Sequence, residues 1–214
     1  MRRKILFGLL ILLCTLLGYL FAWPVPIDPV AWDAPPNPGL TGAFAVNTAL
    51  ASAERLSVLP WHAPEDTIVD SQGRIYASML EGRILRFPAT GGAPEVFAET
   101  GGRPLGLAFD AQGNLIVADA LRGLLSIDAA GKVTLLTDMA EDVPIRYADD
   151  LDIAADGRIF FSDASTKYGA HLGGSYEAST LDLNEHGGHG RLLIYDPRDG
   201  TTKVAAKGLQ FANG

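Results

Sequence analysis

The stretch Tyr147–Asp163 reads YADDLDIAADGRIFFSD and decides the fold. Asp156 and Gly157 form a strong turn signal, and short apolar runs lie on both sides of it. This pattern predicts two antiparallel strands joined by a tight turn. Similar segments occur upstream, as TIVDSQGRIYAS at residues 67–78 and as LAFDAQGNLIVADA at residues 107–120. The sequence therefore contains an internal repeat of strand, turn and strand.

The spacing of this repeat indicates the kind of fold. The turn glycines Gly73, Gly113 and Gly157 are separated by 40 and 44 residues, which is in the range of propeller blades and solenoid repeats. A third apolar segment beginning with glycine follows each hairpin, as GRILRF, GLLSID and GRLLIYD. A fourth short apolar run then follows, as PEVFAE, KVTLLT and TKVAAK. Four strands in each repeat predict an all-β propeller.

The number of repeats bears on the size of the ring. Propellers typically have about 4 to 8 blades, and the 214 residues contain three predicted blades and the start of a fourth. The last residues, FANG at 211–214, look like the opening of another inner strand. We therefore expect this sequence to be about three and a half blades of a six-bladed β-propeller, with about 130 residues still to follow. This part alone is expected to be inactive.

The N-terminus has the features of a membrane anchor. A basic flank at residues 1–4 precedes a nearly continuous apolar run at residues 5–23, which is long enough to span a bilayer. The basic flank predicts a cytoplasmic N-terminus and places the rest of the chain on the exported side, periplasmic or lumenal. The alternative is a cleaved signal peptide, but Leu20, Phe21 and Ala22 make a poor cleavage site. The pattern therefore favours an uncleaved, single-pass signal anchor.

The rest of the chain divides by composition. Residues 24–59 are rich in proline, which favours an extended stalk and lead-in, and residues 60–214 form the predicted propeller. Beyond the basic flank, 14 Lys and Arg stand against 25 Asp and Glu. This acidic excess argues against nucleic acid and anionic lipid surfaces as partners. The single cysteine, Cys14, lies in the apolar run, so no disulfide is expected in the propeller.

A set of oxygen-bearing side chains recurs at one position of the repeat. The innermost strand of each blade runs along the central channel, so equivalent positions converge on one axis. Eight residues before the turn glycine the sequence has Glu65, Leu105 and Asp149, and Asn213 takes this place if it opens a fourth blade. Hard cations such as calcium prefer carboxylate and amide oxygens. The spacing predicts a calcium site at Glu65, Asp149 and Asn213, with ordinary acidic residues at strand ends as the alternative.

From about residue 64 to residue 214, the chain resembles the strictosidine synthase-like branch of the six-bladed propeller superfamily. This superfamily also contains gluconolactonases, senescence marker protein and paraoxonases. The segments that carry the resemblance are GRPLGLAFDAQGNLIVADA, YADDLDIAADGRIFFSDASTKYG, GRLLIYDPRDG and GLQFANG. They look closest to the branch of the adipocyte plasma membrane-associated protein, which is similarly anchored. The resemblance implies a calcium ion in the channel, held by Glu65, Asp149 and Asn213, and a small-molecule substrate.

The resemblance also limits the chemistry. Leu105 stands where paraoxonases carry a histidine of their proposed catalytic dyad, so that base is not available here. The catalytic glutamate of strictosidine synthase belongs to a late blade, beyond residue 214. Asp150 is the candidate water-activating base, with orientation of a calcium ligand as its alternative role. We therefore expect a calcium-dependent hydrolase of small lactones or esters. An amine–aldehyde condensing enzyme and a non-catalytic ligand-binding propeller are the alternatives.

Other polar residues are weaker candidates. His186 and His189 belong to an HGGH segment between Thr166 and Gly190, which is interpreted as a surface loop because its glycines do not hold a fixed metal geometry. Ser165 lacks the G-x-S-x-G elbow of serine hydrolases. Acidic residues close to the turn glycines are interpreted as turn residues, namely Asp70, Asp110, Asp128, Asp156 and Asp199.

Overall fold

The computed structural model describes residues 2–214 and contains three four-stranded antiparallel sheets, each made of consecutive strands. The first sheet contains β1 (Thr67–Val69), β2 (Ile75–Ser78), β3 (Arg83–Phe87) and β4 (Glu95–Glu99). The second contains β5 (Pro104–Phe109), β6 (Leu115–Asp119), β7 (Gly123–Ile127) and β8 (Val133–Thr137). A short pair, β9 (Met139–Ala140) and β10 (Val143–Pro144), follows. The third contains β11 (Ala148–Ile153), β12 (Ile159–Asp163), β13 (Gly190–Asp196) and β14 (Thr201–Leu209). The prediction of four strands in each repeat is confirmed.

The turn that joins the first two strands of each sheet follows from local chemistry. Gly73 adopts a φ of +76°, a left-handed conformation that glycine reaches at little cost because it has no Cβ. The Asp70 carboxylate accepts hydrogen bonds from the backbone N–H groups of Gln72 and Arg74, both at 2.9 Å. The interpretation of Asp70 as a turn residue is therefore confirmed, and Asp110 makes the same contacts in the second sheet.

The three sheets pack face to face, with their first strands side by side. β5 lies between β1 and β11, as expected when the first strand of each blade is the innermost. Apolar side chains fill the space between the first two sheets, among them Tyr76, Ile84, Leu107, Val117 and Leu125. A second cluster fills the space between the second and third sheets, among them Ile116, Leu124, Phe161, Leu193 and Tyr195. Burial between neighbouring sheets is therefore the main source of stability in this part of the chain.

The N-terminal helix α1 (Arg2–Ala22) stands apart from the sheets. Its 21 residues are exposed along the whole helix, and their length and composition suffice to cross a membrane. At a rise of about 1.5 Å per residue, the helix is about 30 Å long, which matches the apolar core of a bilayer. Residues 24–59 contain no regular element other than the 3-10 turn Gly42–Phe44.

The segment between β12 and β13 differs from its sequence-based interpretation, because it contains the helix α2 (Ser175–Glu185). His186 ends this helix, and its ring lies 4.9 Å from the ring of Trp32. His189 is half-buried, and its Nε2 lies 2.5 Å from Oε1 of Glu185. Both histidines lie in the turn and loop between α2 and β13, as predicted, but they are half-buried and not freely exposed. The neighbouring buried carboxylate of Glu185 holds His189 in place.

Candidate functional site

The first and third sheets have equivalent residues at the start of their first strands. In the first sheet, the backbone N–H of Asp66 donates to Oγ of Ser78 at 3.0 Å. In the third sheet, the backbone N–H of Asp150 donates to Oγ of Ser162 at the same distance. The residue that precedes each aspartate therefore occupies the same place in both blades, as the repeat spacing predicts.

Asp149 is the buried carboxylate of the site. Asp149 is only 3% exposed, and its Oδ2 has no hydrogen-bond partner within residues 2–214. Burial raises the pKa of Asp149 to about 7, with Glu65 and Asp150 adding to this shift and Arg103 opposing it. A buried carboxylate without donors is costly when ionised. Asp149 is therefore suited to bind a cation.

Glu65 occupies the equivalent position in the first sheet but is exposed. Its backbone N–H donates to the carbonyl oxygen of Ser78 at 3.1 Å, which fixes the start of the blade. Partial burial of its carboxylate raises the pKa of Glu65, Asp66 raises it further, and Arg103 opposes the shift. Because Glu65 also raises the pKa of Asp149, the two carboxylates share one electrostatic environment.

Asn213 lies in the exposed segment that follows β14. The ring of Phe211 packs against that of Tyr147 at 5.2 Å, and a Cβ built on Gly214 would lie 3.4 Å from Oδ2 of Asp150. These contacts bring the segment back to the start of β11. Residues 2–214 contain no metal-binding group of three or more His, Cys, Asp or Glu, and the predicted ligand set has two carboxylates and one amide.

Two buried residues of this site were missed by the sequence-based reasoning. Arg103 is 8% exposed, its Nη1 donates to the carbonyl oxygen of Ala63 at 3.3 Å, and its Nε has no partner within the described chain. Burial lowers the pKa of Arg103, although the surrounding carboxylates oppose this shift. Tyr147 donates its hydroxyl to the carbonyl oxygen of Ser175 at 3.1 Å, and burial raises its pKa to about 12. Arg103 and Tyr147 each lie two residues before the predicted ligand position of their blade. The same alignment of the repeats could therefore have identified them as residues of the site.

Asp150 lies at the contact between neighbouring inner strands. Its Oδ1 accepts a hydrogen bond from the backbone N–H of Leu151 at 2.8 Å. The equivalent Asp66 uses Oδ2 to accept a hydrogen bond from the backbone N–H of Leu107, in the next blade, at 2.8 Å. An aspartate at this position can therefore brace adjacent blades as well as contact a ligand.

In the second sheet, Gly106 occupies the position equivalent to Asp66 and Asp150. Because Gly106 has no side chain, Asp150 of the next sheet can pack directly against its backbone. A Cβ on Gly106 would lie 2.5 Å from Oδ1 and 2.7 Å from Cα of Asp150. We expect Gly106→Ala to lower stability by about 1–3 kcal/mol, because the backbone of β11 has to move. Gly113→Ala is the matched control, since it meets no atom within 4 Å and costs only about 1 kcal/mol for its positive φ. Equal losses in thermal unfolding would contradict this account.

Comparison with known proteins identifies the relatives of this chain. The family model "Strictosidine synthase-like, N-terminal" matches residues 42–87, and the model "Strictosidine synthase" matches residues 149–214. Protein STRICTOSIDINE SYNTHASE-LIKE 6 of Arabidopsis thaliana is 37% identical over an alignment covering 77% of this chain and 44% of the relative. The adipocyte plasma membrane-associated protein of Rattus norvegicus is 31% identical, covering 93% of this chain and 55% of the relative. The chain thus spans about half the length of these curated relatives.

Solved structures show the same fold at lower sequence identity. A gluconolactonase from Xanthomonas campestris is 22% identical with a TM-score of 0.54, covering 69% of this chain and 48% of that chain. Regucalcin from Agrobacterium tumefaciens, described as a calcium-binding protein, is 17% identical with a TM-score of 0.51, covering 71% and 45%. The two family matches together take in just over half of the 214 residues. With four-stranded sheets at the predicted spacing, and with relatives that share this family name, the chain belongs to the strictosidine synthase-like family.

Proposed function

We propose that the whole protein is a calcium-dependent hydrolase of small lactones or esters, built as a six-bladed propeller. Glu65, Asp149 and Asn213 are the proposed calcium ligands. The observation that carries this proposal is Asp149, a buried carboxylate whose Oδ2 has no donor within residues 2–214. A gluconolactonase fold and a calcium-binding regucalcin fold among the solved structures are consistent with it.

The chemical character of the site fits calcium. Glu65 and Asp149 offer carboxylate oxygens and Asn213 an amide oxygen, and oxygen atoms of these kinds are what calcium prefers. The negative charges of Glu65 and Asp150 raise the pKa of Asp149, so a cation held beside Asp149 would relieve this repulsion. Calcium bound there would supply a Lewis acid that polarises an ester or lactone carbonyl.

The chain's own residues have distinct proposed roles. Asp150 takes a proton from the attacking water through its carboxylate, which puts the base one residue from a calcium ligand. Arg103, buried beside Asp149, adds a fixed positive charge that stabilises the negative charge developing on the carbonyl oxygen. Leu105 is 3% exposed. Its apolar side chain, at the equivalent position of the second blade, keeps water away from the neighbouring carboxylates.

Hydrolysis of phenyl acetate and of δ-gluconolactone by the whole protein tests this function. We expect activity with calcium and a loss of at least about a hundredfold after chelation, because a metal supplies several kcal/mol of transition-state stabilisation. Asp150→Asn should lower kcat by about 10²–10⁴-fold while keeping calcium binding, as expected for loss of a general base.

Asp66→Asn is the matched control, because Asp66 occupies the same register position in the first blade. It should cost stability by removing the bond to Leu107 without a comparable loss of kcat. Activity that survives thorough chelation would overturn the calcium-dependent hydrolase. Equal effects of the two substitutions would leave Asp150 with a bracing role only.

A condensing activity on an amine and an aldehyde is the second candidate, and the match of residues 149–214 to the strictosidine synthase model favours it. The two functions differ in their products. Formation of a carbon–nitrogen bond from a primary amine and an aldehyde, with no turnover of esters or lactones, would replace the hydrolase by the synthase.

We also propose that α1 anchors the protein in a membrane, with the propeller on the exported side. Its length and apolar composition support this, and so do the basic residues that precede the apolar run. A relative that covers 93% of this chain is named as a membrane-associated protein.

A further inference from the structure

Glu185, at the C-terminus of α2, is a buried carboxylate that the proposed reaction does not use. It is 2% exposed and accepts hydrogen bonds from Nζ of Lys167, at 2.8 and 2.7 Å, and from the hydroxyl of Tyr168. His189 contributes a third side chain at 2.5 Å. Although burial opposes ionisation, these donors hold the pKa of Glu185 well below its usual range. Glu185 is therefore ionised, and its carboxylate can accept a strong, charge-assisted hydrogen bond from a further donor.

The chain just after α1 supplies that further donor. The backbone N–H of Asp28 donates to Oε2 of Glu185 at 2.8 Å, and that of Val30 donates to the carbonyl oxygen of Glu185 at 2.8 Å. The hydroxyl oxygen of Tyr168, whose single hydrogen is shared with Glu185, also lies 3.0 Å from the carbonyl oxygen of Pro26. Residues 26–30 are thus fastened to α2 by two hydrogen bonds and to Tyr168 by a third contact, and we name this segment the strap.

The strap limits the distance between α2 and the membrane. Pro26 is only four positions after Ala22, the end of α1. Four residues span at most about 14 Å even when fully extended. If α1 crosses a bilayer, α2 therefore lies close to the headgroup layer.

The strap also selects which end of the propeller lies near the membrane. Ile27 packs in an apolar cluster with Leu105, Tyr147 and Ala178. Leu105 and Tyr147 belong to the starts of the inner strands, where the carboxylates of the candidate site also lie. The strap therefore holds the site-bearing end of the blades towards α1.

Two large apolar side chains stand on the outward face of α2, next to the exposed polar residues Glu177 and Asn184. Ala178, Asp182 and Glu185 face the protein, whereas Tyr176 and Leu183, seven residues apart and so on one side of the helix, are 83% and 58% exposed. Within the strap Val30 is 55% exposed, and Trp32, just beyond it, is 60% exposed. Aromatic and aliphatic side chains of this kind favour the membrane interface.

We infer that Tyr176, Leu183 and Trp32 rest on the surface of the bilayer that α1 spans, so that the site-bearing end of the propeller faces the lipid. This inference rests on the proposed anchoring by α1. Beyond the N-terminal flank, 25 acidic residues outnumber 14 basic ones. Because such a surface is not attracted to anionic lipids, we expect apolar side chains to make the contact. It should therefore form on uncharged phosphatidylcholine and persist at high salt.

Site-directed spin labelling of the whole protein in phosphatidylcholine nanodiscs tests the contact. Native Cys14 is labelled in one sample, and in Cys14→Ser protein the label is placed by Tyr176→Cys, Leu183→Cys or Gln112→Cys. Gln112 is exposed in the turn at the opposite end of the second blade. We expect the ratio of collisions with oxygen to collisions with a water-soluble nickel complex to be highest at position 14. It should be clearly higher at positions 176 and 183 than at 112.

The label positions distinguish the surface contact of α2 from the membrane anchoring by α1. Equal ratios at 176, 183 and 112 with a lipid-like value at 14 would overturn the surface contact and leave the anchor intact. An aqueous value at 14 would overturn the anchor and this inference with it, whereas hydrolysis assays are independent of both.

The role of the strap is tested by Tyr168→Phe, which removes the hydroxyl bonded to Pro26 and Glu185 and keeps the ring. We expect the ratio at 176 to fall towards that at 112 while position 14 is unchanged. An unchanged ratio at 176 would overturn the strap as the element that orients the propeller.

Discussion

Asp149→Asn is expected to raise the melting temperature of the whole protein when calcium is chelated and to lower it when calcium is saturating. Without a cation, the ionised Asp149 is buried with an unpaired Oδ2, and its pKa is raised to about 7. Removing that charge at pH 8 should therefore stabilise the chelated protein by on the order of 2 kcal/mol. At free calcium about 100 times Kd, the wild type gains about 2.7 kcal/mol that the variant loses.

Thermal unfolding of wild type and variant, in calcium and in chelator, measures this reversal in the order of their melting temperatures. At roughly 2–4 °C per kcal/mol, the variant should melt about 4–8 °C above wild type in chelator and about 1–3 °C below it in saturating calcium. Asp70→Asn is the control, because Asp70 bonds only to residues 72–76 of its own hairpin and should lose the same stability in both buffers. If Asp149→Asn destabilises equally in both, Asp149 is not a calcium ligand.

Asp163→Ala is expected to produce the largest loss of stability, about 3–5 kcal/mol. Asp163 is fully buried and accepts hydrogen bonds from Nε and Nη2 of Arg191, at 3.0 and 2.5 Å. It also accepts hydrogen bonds from the backbone N–H groups of Arg146 and Tyr147, at 3.2 and 2.9 Å. Truncation leaves the buried guanidinium of Arg191 without its carboxylate and frees the start of β11.

The double variant Asp163→Ala, Arg191→Met separates the two parts of this loss. Removing both charges should recover most of the stability, because replacing a buried ion pair by apolar side chains is often neutral. The control is Glu95→Ala, which breaks the more exposed pair of Arg86 and Glu95 and should cost no more than about 1 kcal/mol. A double variant as unstable as Asp163→Ala would mean that the backbone contacts, not the charge, dominate.

Much of the fold could be predicted because its signals are local. A turn such as Asp70 to Arg74 is determined by one glycine with positive φ and one carboxylate that bonds to nearby N–H groups. The same chemistry recurs at regular intervals, so the strands and their register follow from spacing. The equivalence of Asp66 and Asp150, seen in their matching serine contacts, is a consequence of that register.

The candidate site was predictable in position but not in character. Glu65 and Asp149 have the same register, yet Glu65 is exposed and Asp149 is 3% exposed. Their pKa values depend on burial and on neighbours in other blades, such as Arg103. Arg103 was missed because its significance arises only when the blades are packed together.

Local sequence patterns were enough to predict the repeat, the four strands of each blade, the turns and the register that aligns Glu65 with Asp149. These properties depend on backbone conformations and hydrogen bonds between residues a few positions apart. The presence of α2 before the HGGH segment, and the binding of the strap to α2, became visible only in the folded chain. The bond from Asp28 to Glu185 joins residues 157 positions apart. Such a contact forms only when folding brings two distant segments together, and no local pattern contains that information.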